Sequence, residues 1–290
     1  MKIVFAGSPQ LGAVILEELI AAGFQIPLVL TKSDKPAGRG KKPKETPVKI
    51  IAQKYKIPTL SPAKLDQEEF ISKLAKITPD LIVVAAYGKI FPKVVLTLPK
   101  YGVLNLHPSL LPKFRGPTPI QFAILQGEKK TGVTIIKMEE NLDEGDILSQ
   151  IKFPIGVNDT TLTLSEKLAK IGAKLLIQTI KKYIKGQIKP KPQNHLKATY
   201  SAMLTKYDGK IDIENLPEPE KFNMMVRAFY PWPGVWTELQ IVNRKSLMVK
   251  FLPNQPFLIQ PEGRKPQTAT EFLNGYPETK EWIEKLKLVD

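Results

Sequence analysis

Two polar residues close a short apolar run in the segment VLNLHPSLLPKFRGPTPIQ, residues 103–121: Asn105 and His107. On a strand, side chains two apart leave the same face. With a carboxylate brought from elsewhere, they form a set suited to moving an acyl or formyl group onto an amine. A neutral imidazole takes the proton that an attacking amine sheds near pH 7. An amide N–H steadies the developing oxyanion, and the carboxylate orients the imidazole and stabilises its charged form. The segment TGVTIIKMEENLDEGDIL, residues 131–148, carries five acids around Gly145: Glu139, Glu140, Asp143, Glu144 and Asp146. Asp143, just ahead of the glycine-containing turn, is the candidate to point inward toward Asn105 and His107. Taken alone, the pair fits a satisfied, partly buried histidine beside a turn asparagine equally well, and most of the acids fit a solvated hairpin.

The elements that must position these residues read as an open α/β sheet. Residues 2–6 form an apolar run ending at Gly7. Leu11, Val14, Ile15, Leu16 and Leu19 recur at helical spacing up to Gly23, and a second strand follows at 26–30. Residues 46–55 and 67–76 are predicted helical, and the β-branched run 80–86 has the composition of a central parallel strand. A strand at 103–107 is stopped by Pro108, and a short helix spans 119–125. Strands at 131–138 and 147–153 flank the acidic turn and are expected to pair. A long helix spans 160–183, with Asn158 and Asp159 as candidate N-caps. Open sheets of this kind take ligands outside the carboxyl ends of their strands, where Asn105 and His107 fall.

After Gly186 the character changes. Lys189-Pro190-Lys191-Pro192 is a stiff linker signal, followed by a helix at 218–229, strands near 235–241 and 247–251, and a last helix near 280–287. The reading is a Rossmann-like, mostly parallel sheet domain over 1–186, a linker over 187–206, and a smaller, mainly β domain over 207–290. The first turn, Gly7-Ser8-Pro9-Gln10-Leu11-Gly12, lacks the Gly-x-Gly-x-x-Gly fingerprint, so a dinucleotide is not expected.

Composition narrows the chemistry. The 290 residues include no cysteine, which excludes disulfides, thiolate catalysis and Cys-based zinc sites, and the two histidines count against a multi-histidine metal centre. No apolar run approaches a membrane span, and the start shows no signal-peptide pattern. A cytoplasmic location is expected.

The formal charge of +15 fits a nucleic-acid partner, an anionic membrane or a generally lysine-rich proteome. Its distribution says more. Residues 32–44, KSDKPAGRGKKPK, set Lys32, Lys35, Arg39, Lys41, Lys42 and Lys44 against Asp34 alone. Interleaved glycine and proline predict a loop that can adapt to a phosphate backbone. A second basic stretch, residues 181–197, has six lysines and no acid, though lysines at a helix C-terminus also complement the helix dipole. Phe229-Tyr230-Pro231-Trp232-Pro233 reads as packing rather than base stacking.

Asn105-Leu106-His107, Ser109-Leu110-Leu111-Pro112 and Asp143-Glu144-Gly145 together resemble the hallmark motifs of the 10-formyltetrahydrofolate-dependent formyltransferases. The resemblance implies that Asn105, His107 and Asp143 are catalytic. It also implies that Ser109, Leu110, Leu111 and Pro112, with Tyr87, Gly88, Lys89, Ile90 and Asp143, line the folate site, without a metal. The stretches AGSP (6–9), DKPAGRGKK (34–42), TPVK (46–49) and RAFYPWP (227–233) are similar to the branch of that family that formylates initiator methionyl-tRNA for translation initiation. That likeness runs from residue 1 to about 251 and resumes near 257–273. It implies tRNA contacts from Lys35, Arg39, Lys41, Lys42, Lys189 and Lys191, with Arg39 and Lys41 foremost, and a C-terminal OB-type β-barrel that binds tRNA. A monomer is expected.

An amino-sugar formyltransferase would share the Asn-His-Asp set without needing the basic loop, and a non-catalytic RNA-binding protein would need no such set. The chain departs from the family at Pro108, Pro117 and Thr118. Strands that normally complete the barrel are missing between Phe251 and Phe257. A shortened barrel leaves sheet edges to be covered, and residues 253–267 or the terminal helix are expected to cover them.

Overall fold

The most apolar short runs, at residues 3–6 and 81–85, become the fully buried middle of a sheet. The fold comes from a computed structural model, which describes residues 1–37, 42–240, 246–254 and 256–288. Strand β1 (Lys2–Gly7) leads into helix α1 (Gln10–Ala21) and returns as β2 (Gln25–Leu30). Gly7 and Gly12 owe their spacing to packing. A Cβ on either would fall within 3 Å of the Ala85 carbonyl oxygen, so both must lack one for α1 to lie against the sheet. Ser8 is also structural, its Oγ accepting the Lys32 N–H at 3.1 Å. The likeness of this turn to a phosphate loop therefore has a packing explanation.

Next come a small hairpin, β3 (Lys35–Ala37) with β4 (Lys42–Lys44), and α2 (Pro47–Lys54), N-capped by Thr46 through the Lys49 N–H. The hairpin corrects the expectation of an entirely irregular loop over 32–44. The antiparallel pair sets Pro36 opposite Pro43, a pairing that composition alone hid. Then follow β5 (Thr59–Leu60), α3 (Glu68–Ile77), β6 (Leu81–Ala85), α4 (Lys93–Thr97), β7 (Val103–His107), α5 (Pro119–Leu125), β8 (Lys130–Lys137), β9 (Ile147–Pro154) and α6 (Thr161–Tyr183).

The sheet runs β5-β2-β1-β6-β7-β8-β9. It is parallel from β5 through β7, and β8 runs antiparallel to β7. Chain order reverses between β1 and β6, which is the switch point where open sheets take ligands. Helix α6 crosses at Gly172, where a Cβ would meet Leu106 and Val133 at 3.0 and 3.2 Å. Its cap is Thr160, whose Oγ1 accepts the Thr163 N–H, rather than Asn158 or Asp159. Asp159 instead accepts the Gly156 N–H and the Thr163 hydroxyl. Among the described residues no helix is long and apolar enough to cross a membrane.

The described residues divide into two compact units, one of 1–119, 131–154 and 165–201, the other of 120–130, 155–164 and 202–290. The second contains α7 (Pro219–Phe229) and the antiparallel sheet β10 (Val235–Leu239), β11 (Leu247–Leu252) and β12 (Leu258–Pro261), then α8 (Ala269–Gly275) and α9 (Lys280–Lys285). Three strands form this sheet, and no further strand among the described residues closes it. Gln267, at the end of the stretch expected to cover an edge, pairs with Ile259 on β12. The opposite edge is taken by a segment the sequence did not single out, where Ile211 donates to Trp236 on β10.

The core of this unit is aromatic. Phe251 meets Phe222 edge-on at 5.1 Å and Trp282 of α9 at 5.8 Å. Of the Phe229–Pro233 run, Phe229 is buried, whereas Trp232 is half exposed and does not pack as expected. Replacing Phe251 by Ala removes the ring shared by both contacts and should cost about 3–5 kcal/mol. Urea unfolding of the full chain, followed by tryptophan fluorescence, reads this; a loss under about 1 kcal/mol would show that the aromatic cluster does not hold the sheet.

Candidate active site

Strand β7 presents Asn105 and His107 on one face, with Asn105 paired to Val84 and Ile136 and His107 to Thr134. His107 is buried and Asn105 half-buried. The His107 Nε2 lies 2.9 Å from the Phe114 carbonyl oxygen. A carbonyl only accepts, so Nε2 carries a proton and the other ring nitrogen, Nδ1, is the one without it.

The carboxylate arrives as expected. Asp143 Oδ1 accepts from Asn105 Nδ2 at 3.3 Å, and Oδ2 stands 3.6 Å from His107 Nδ1 while accepting the Gly116 N–H at 2.8 Å. Asp143 itself has φ 54°, in the left-handed region. Short acidic side chains tolerate that region better than most. Two residues on, a Cβ at Gly145 would collide with the Lys137 carbonyl oxygen. The Asp-x-Gly spacing is thus a backbone requirement: an aspartate that turns left-handed, then a residue with no side chain where the turn closes on β8.

The segment after His107 is rigidly held. Ser109 is buried and donates to the Lys113 carbonyl at 2.6 Å, and Thr134 Oγ1 bridges the Ser109 carbonyl and the Leu111 N–H. Gln150 caps the Leu111 carbonyl at 3.0 Å. Ser109 and Leu111 therefore shape the loop from inside, while Leu110 and Pro112 are half-buried. Gly116 adopts φ 110°, and a Cβ there would strike the Ser201 carbonyl oxygen.

On the neighbouring loop, Tyr87 is buried, and its hydroxyl finds no partner among the described residues. Burial pushes its pKa up to about 12. Gly88 has φ 69° and lies so close to the Lys32 ammonium that a Cβ would fall 2.8 Å from it. Lys89 donates to the Pro62 and Ala63 carbonyls, and Ile90 is exposed. A groove of ≈ 660 Å³ opens beside the acidic hairpin, lined by Lys93, Leu96, Met138, Glu139, Glu140 and Asn141 among others.

Of the expected basic contacts, Lys189 and Lys191 are exposed. Arg39 and Lys41 lie outside the described residues, as do the side chains of Lys35 and Lys42. At the base of this loop Asp34 Oδ2 binds Lys49 at 2.7 Å, and Asp34 with Glu45 holds the Lys49 ammonium above its ordinary pKa.

A family model described as formyl transferase matches residues 1–180. The chain belongs to the formyl transferase family. Among its relatives, the methionyl-tRNA formyltransferase of Thermodesulfovibrio yellowstonii is 41% identical, over 94% of this chain and 95% of the relative. That of Nitrosomonas europaea is 43% identical over 96% and 94%. Among solved structures, a sugar N-formyltransferase from Shewanella shares the fold, with TM-score 0.66 and 20% identity over 87% of this chain and 96% of that one.

The structure of this formyl transferase also adds residues that pattern reading missed. Arg115 and Gln193 reach the Asp143 turn, and His195 lies against Arg115. Arg115 sits in a segment already singled out, but nothing in its local sequence signals burial, and Gln193 follows a linker signal. Substituting Gly145 by Ala forces the turn off Lys137 and displaces Asp143. A displacement near 1 Å should lower kcat about a hundredfold, with circular dichroism reporting an intact sheet; wild-type kcat would show that the turn tolerates a side chain.

Proposed function

We propose that this chain transfers the formyl group of 10-formyltetrahydrofolate to the α-amine of initiator methionyl-tRNA, in the cytoplasm and as a monomer, for translation initiation. The observation that carries the reading is the convergence of Asn105, His107 and Asp143 at the carboxyl end of β7, with an imidazole nitrogen available and an amide donor beside it. Relatives bearing the name methionyl-tRNA formyltransferase, matched over nearly their whole length, support the acceptor.

When bound, 10-formyltetrahydrofolate supplies an activated formyl group. The chain has features that suit it. The 87–90 and 109–112 loops follow the carboxyl ends of β6 and β7, where open sheets take ligands. Folate derivatives accompany related sugar formyltransferase structures, one from Helicobacter canadensis with folinic acid.

The protein's own work is positioning and proton transfer. His107, with Nε2 fixed by the Phe114 carbonyl, takes the amine's proton at Nδ1. Asp143 then faces the charged ring and stabilises it until the ring returns the proton to the folate nitrogen, whose bond to the formyl carbon breaks as tetrahydrofolate leaves. Asn105 Nδ2 has two hydrogens; one engages Asp143, leaving the other for the oxyanion. The tRNA-facing cations of this reading are Lys35, Arg39, Lys41, Lys42, Lys189 and Lys191, and the C-terminal region beyond residue 206 adds further tRNA contacts.

Incubation with charged initiator tRNA and 10-formyltetrahydrofolate should yield formylmethionine. Its absence, or preference for a nucleotide-sugar amine with indifference to tRNA, overturns the reading. His107→Ala should lower kcat by about 10²–10⁴ and Asn105→Ala by about 10²–10³; activity retained in both would favour a non-catalytic role. Neutralising Lys35, Arg39, Lys41 and Lys42 together should raise KM for tRNA and leave KM for folate unchanged. The slope of log affinity against log salt should flatten by about 0.7–0.9 for each phosphate that is no longer neutralised. An unchanged salt slope would remove the loop from the tRNA interface.

A further inference from the structure

Among the described residues Arg115 is the largest fully buried side chain, and it is a charged one. Its guanidinium bonds Glu144, next to Asp143 in the chain, Gln193, which holds the Asp143 carbonyl, and His195. Nη1 donates to Glu144 Oε1 at 2.8 Å. Nη2 and Nε donate to Gln193 Oε1 at 2.9 and 3.3 Å. Nη2 also lies 3.3 Å from His195 Nδ1, which must accept, since a guanidinium only donates.

Gln193 is buried too, and its amide hydrogens run onward to the carbonyls of Asp143 and Gly145 at 2.7 and 2.8 Å. The turn is therefore gripped at the backbone on both sides of Glu144 and at the Glu144 carboxylate itself. The backbone flanking Arg115 completes the arrangement. Phe114 holds His107 through its carbonyl, and Gly116 holds Asp143 through its N–H.

A buried ion pair is weak evidence for stability, because desolvation offsets most of its attraction. The geometry supplies another reason for this one. Asp143 stands in a left-handed conformation that its surroundings must impose. We propose that Arg115, acting through Gln193 and Glu144, is a positioning residue for formyl transfer: it clamps the 143–145 turn so that the Asp143 carboxylate stays between Asn105 and His107. The proposal rests on the reading of those three residues as the reaction centre. Lysine cannot replace the arginine, since one ammonium does not span Glu144, Gln193 and His195 in a fixed plane. The charged and titratable groups bearing on His107 are Asp143 directly, then Glu144, Arg115 and His195 through the turn.

Gln193→Glu tests the clamp while leaving Arg115 paired. It keeps an acceptor for the guanidinium but turns a carboxylate oxygen, instead of the amide donors, toward the Asp143 and Gly145 carbonyls. Formyl transfer to methionyl-tRNA should fall about ten- to a hundredfold in kcat, with KM for both substrates nearly unchanged and the thermal midpoint close to wild type. Arg115→Lys should show the same pattern, and Arg115→Ala should recover activity with millimolar guanidinium but not with ammonium.

The NMR resonances of the His107 ring in the protein alone, assigned against His195→Gln, should move in Gln193→Glu as the Asp143 carboxylate leaves its place beside the ring. Wild-type kcat in Gln193→Glu with unchanged His107 ring resonances would overturn the proposal. So would a loss that merely follows the folded fraction. Failure of the wild-type protein to make formylmethionine would instead overturn the functional reading, while the His107 resonances would still decide whether the clamp sets the centre.

Discussion

Asp143 must reach Asn105 from 38 residues further along the chain, and it does so on a backbone turned the wrong way for an ordinary residue. Much of the first unit meets that constraint. β8 runs antiparallel to β7, bringing the end of β8 back past the start of β7 before the chain turns toward Asn105. Gly145 lets the turn close against Lys137, and the Gly116 N–H receives the carboxylate. Local strain of this kind persists only where surrounding contacts over-determine it, and the hydrogen bonds from Gln193 do so here.

The imidazole is constrained just as closely. The Phe114 carbonyl, which only accepts, holds the proton on Nε2 and leaves Nδ1 on the side of Asp143. The Phe114 carbonyl is placed by a loop whose own polar groups bond one another: Ser109 to Lys113, Thr134 to Ser109, and Gln150 to Thr134 and Leu111. The Ser-Leu-Leu-Pro stretch thus has a structural duty besides any contact with a ligand. Buried polar groups that are fully paired rigidify a site, and this loop has that character.

The second unit is held by different physics. With three strands its sheet is too small to bury much by itself, so α7, α8 and α9 supply rings that close over it. Main-chain pairing by Gln267 and Ile211 occupies both sheet edges. Edge strands invite pairing with other chains, and here the chain's own segments take those positions.

The sequence by itself determined most of the order of strands and helices in the sheet domain, without β5 or α4, together with the pairing of Asn105 with His107 and the concentration of cations in residues 32–44. These are legible because periods of 2 and 3.6, proline and glycine stops, and net charge are local properties. It also narrowed the carboxylate to five acids, with Asp143 favoured by its place before the glycine turn. Tertiary structure decided that Asp143 alone among them meets both Asn105 and His107, while Glu144 turns to Arg115. It decided that Arg115 is buried and that Gln193, from the far side of the linker signal, grips the turn. It likewise placed a hairpin where glycine, proline and lysine promised only a loop, and added β12 and α8 to a tail whose pattern is weak. The burial of Arg115 depends on contacts between residues 29 to 78 positions apart, and no local propensity records which distant partner a buried charge will meet.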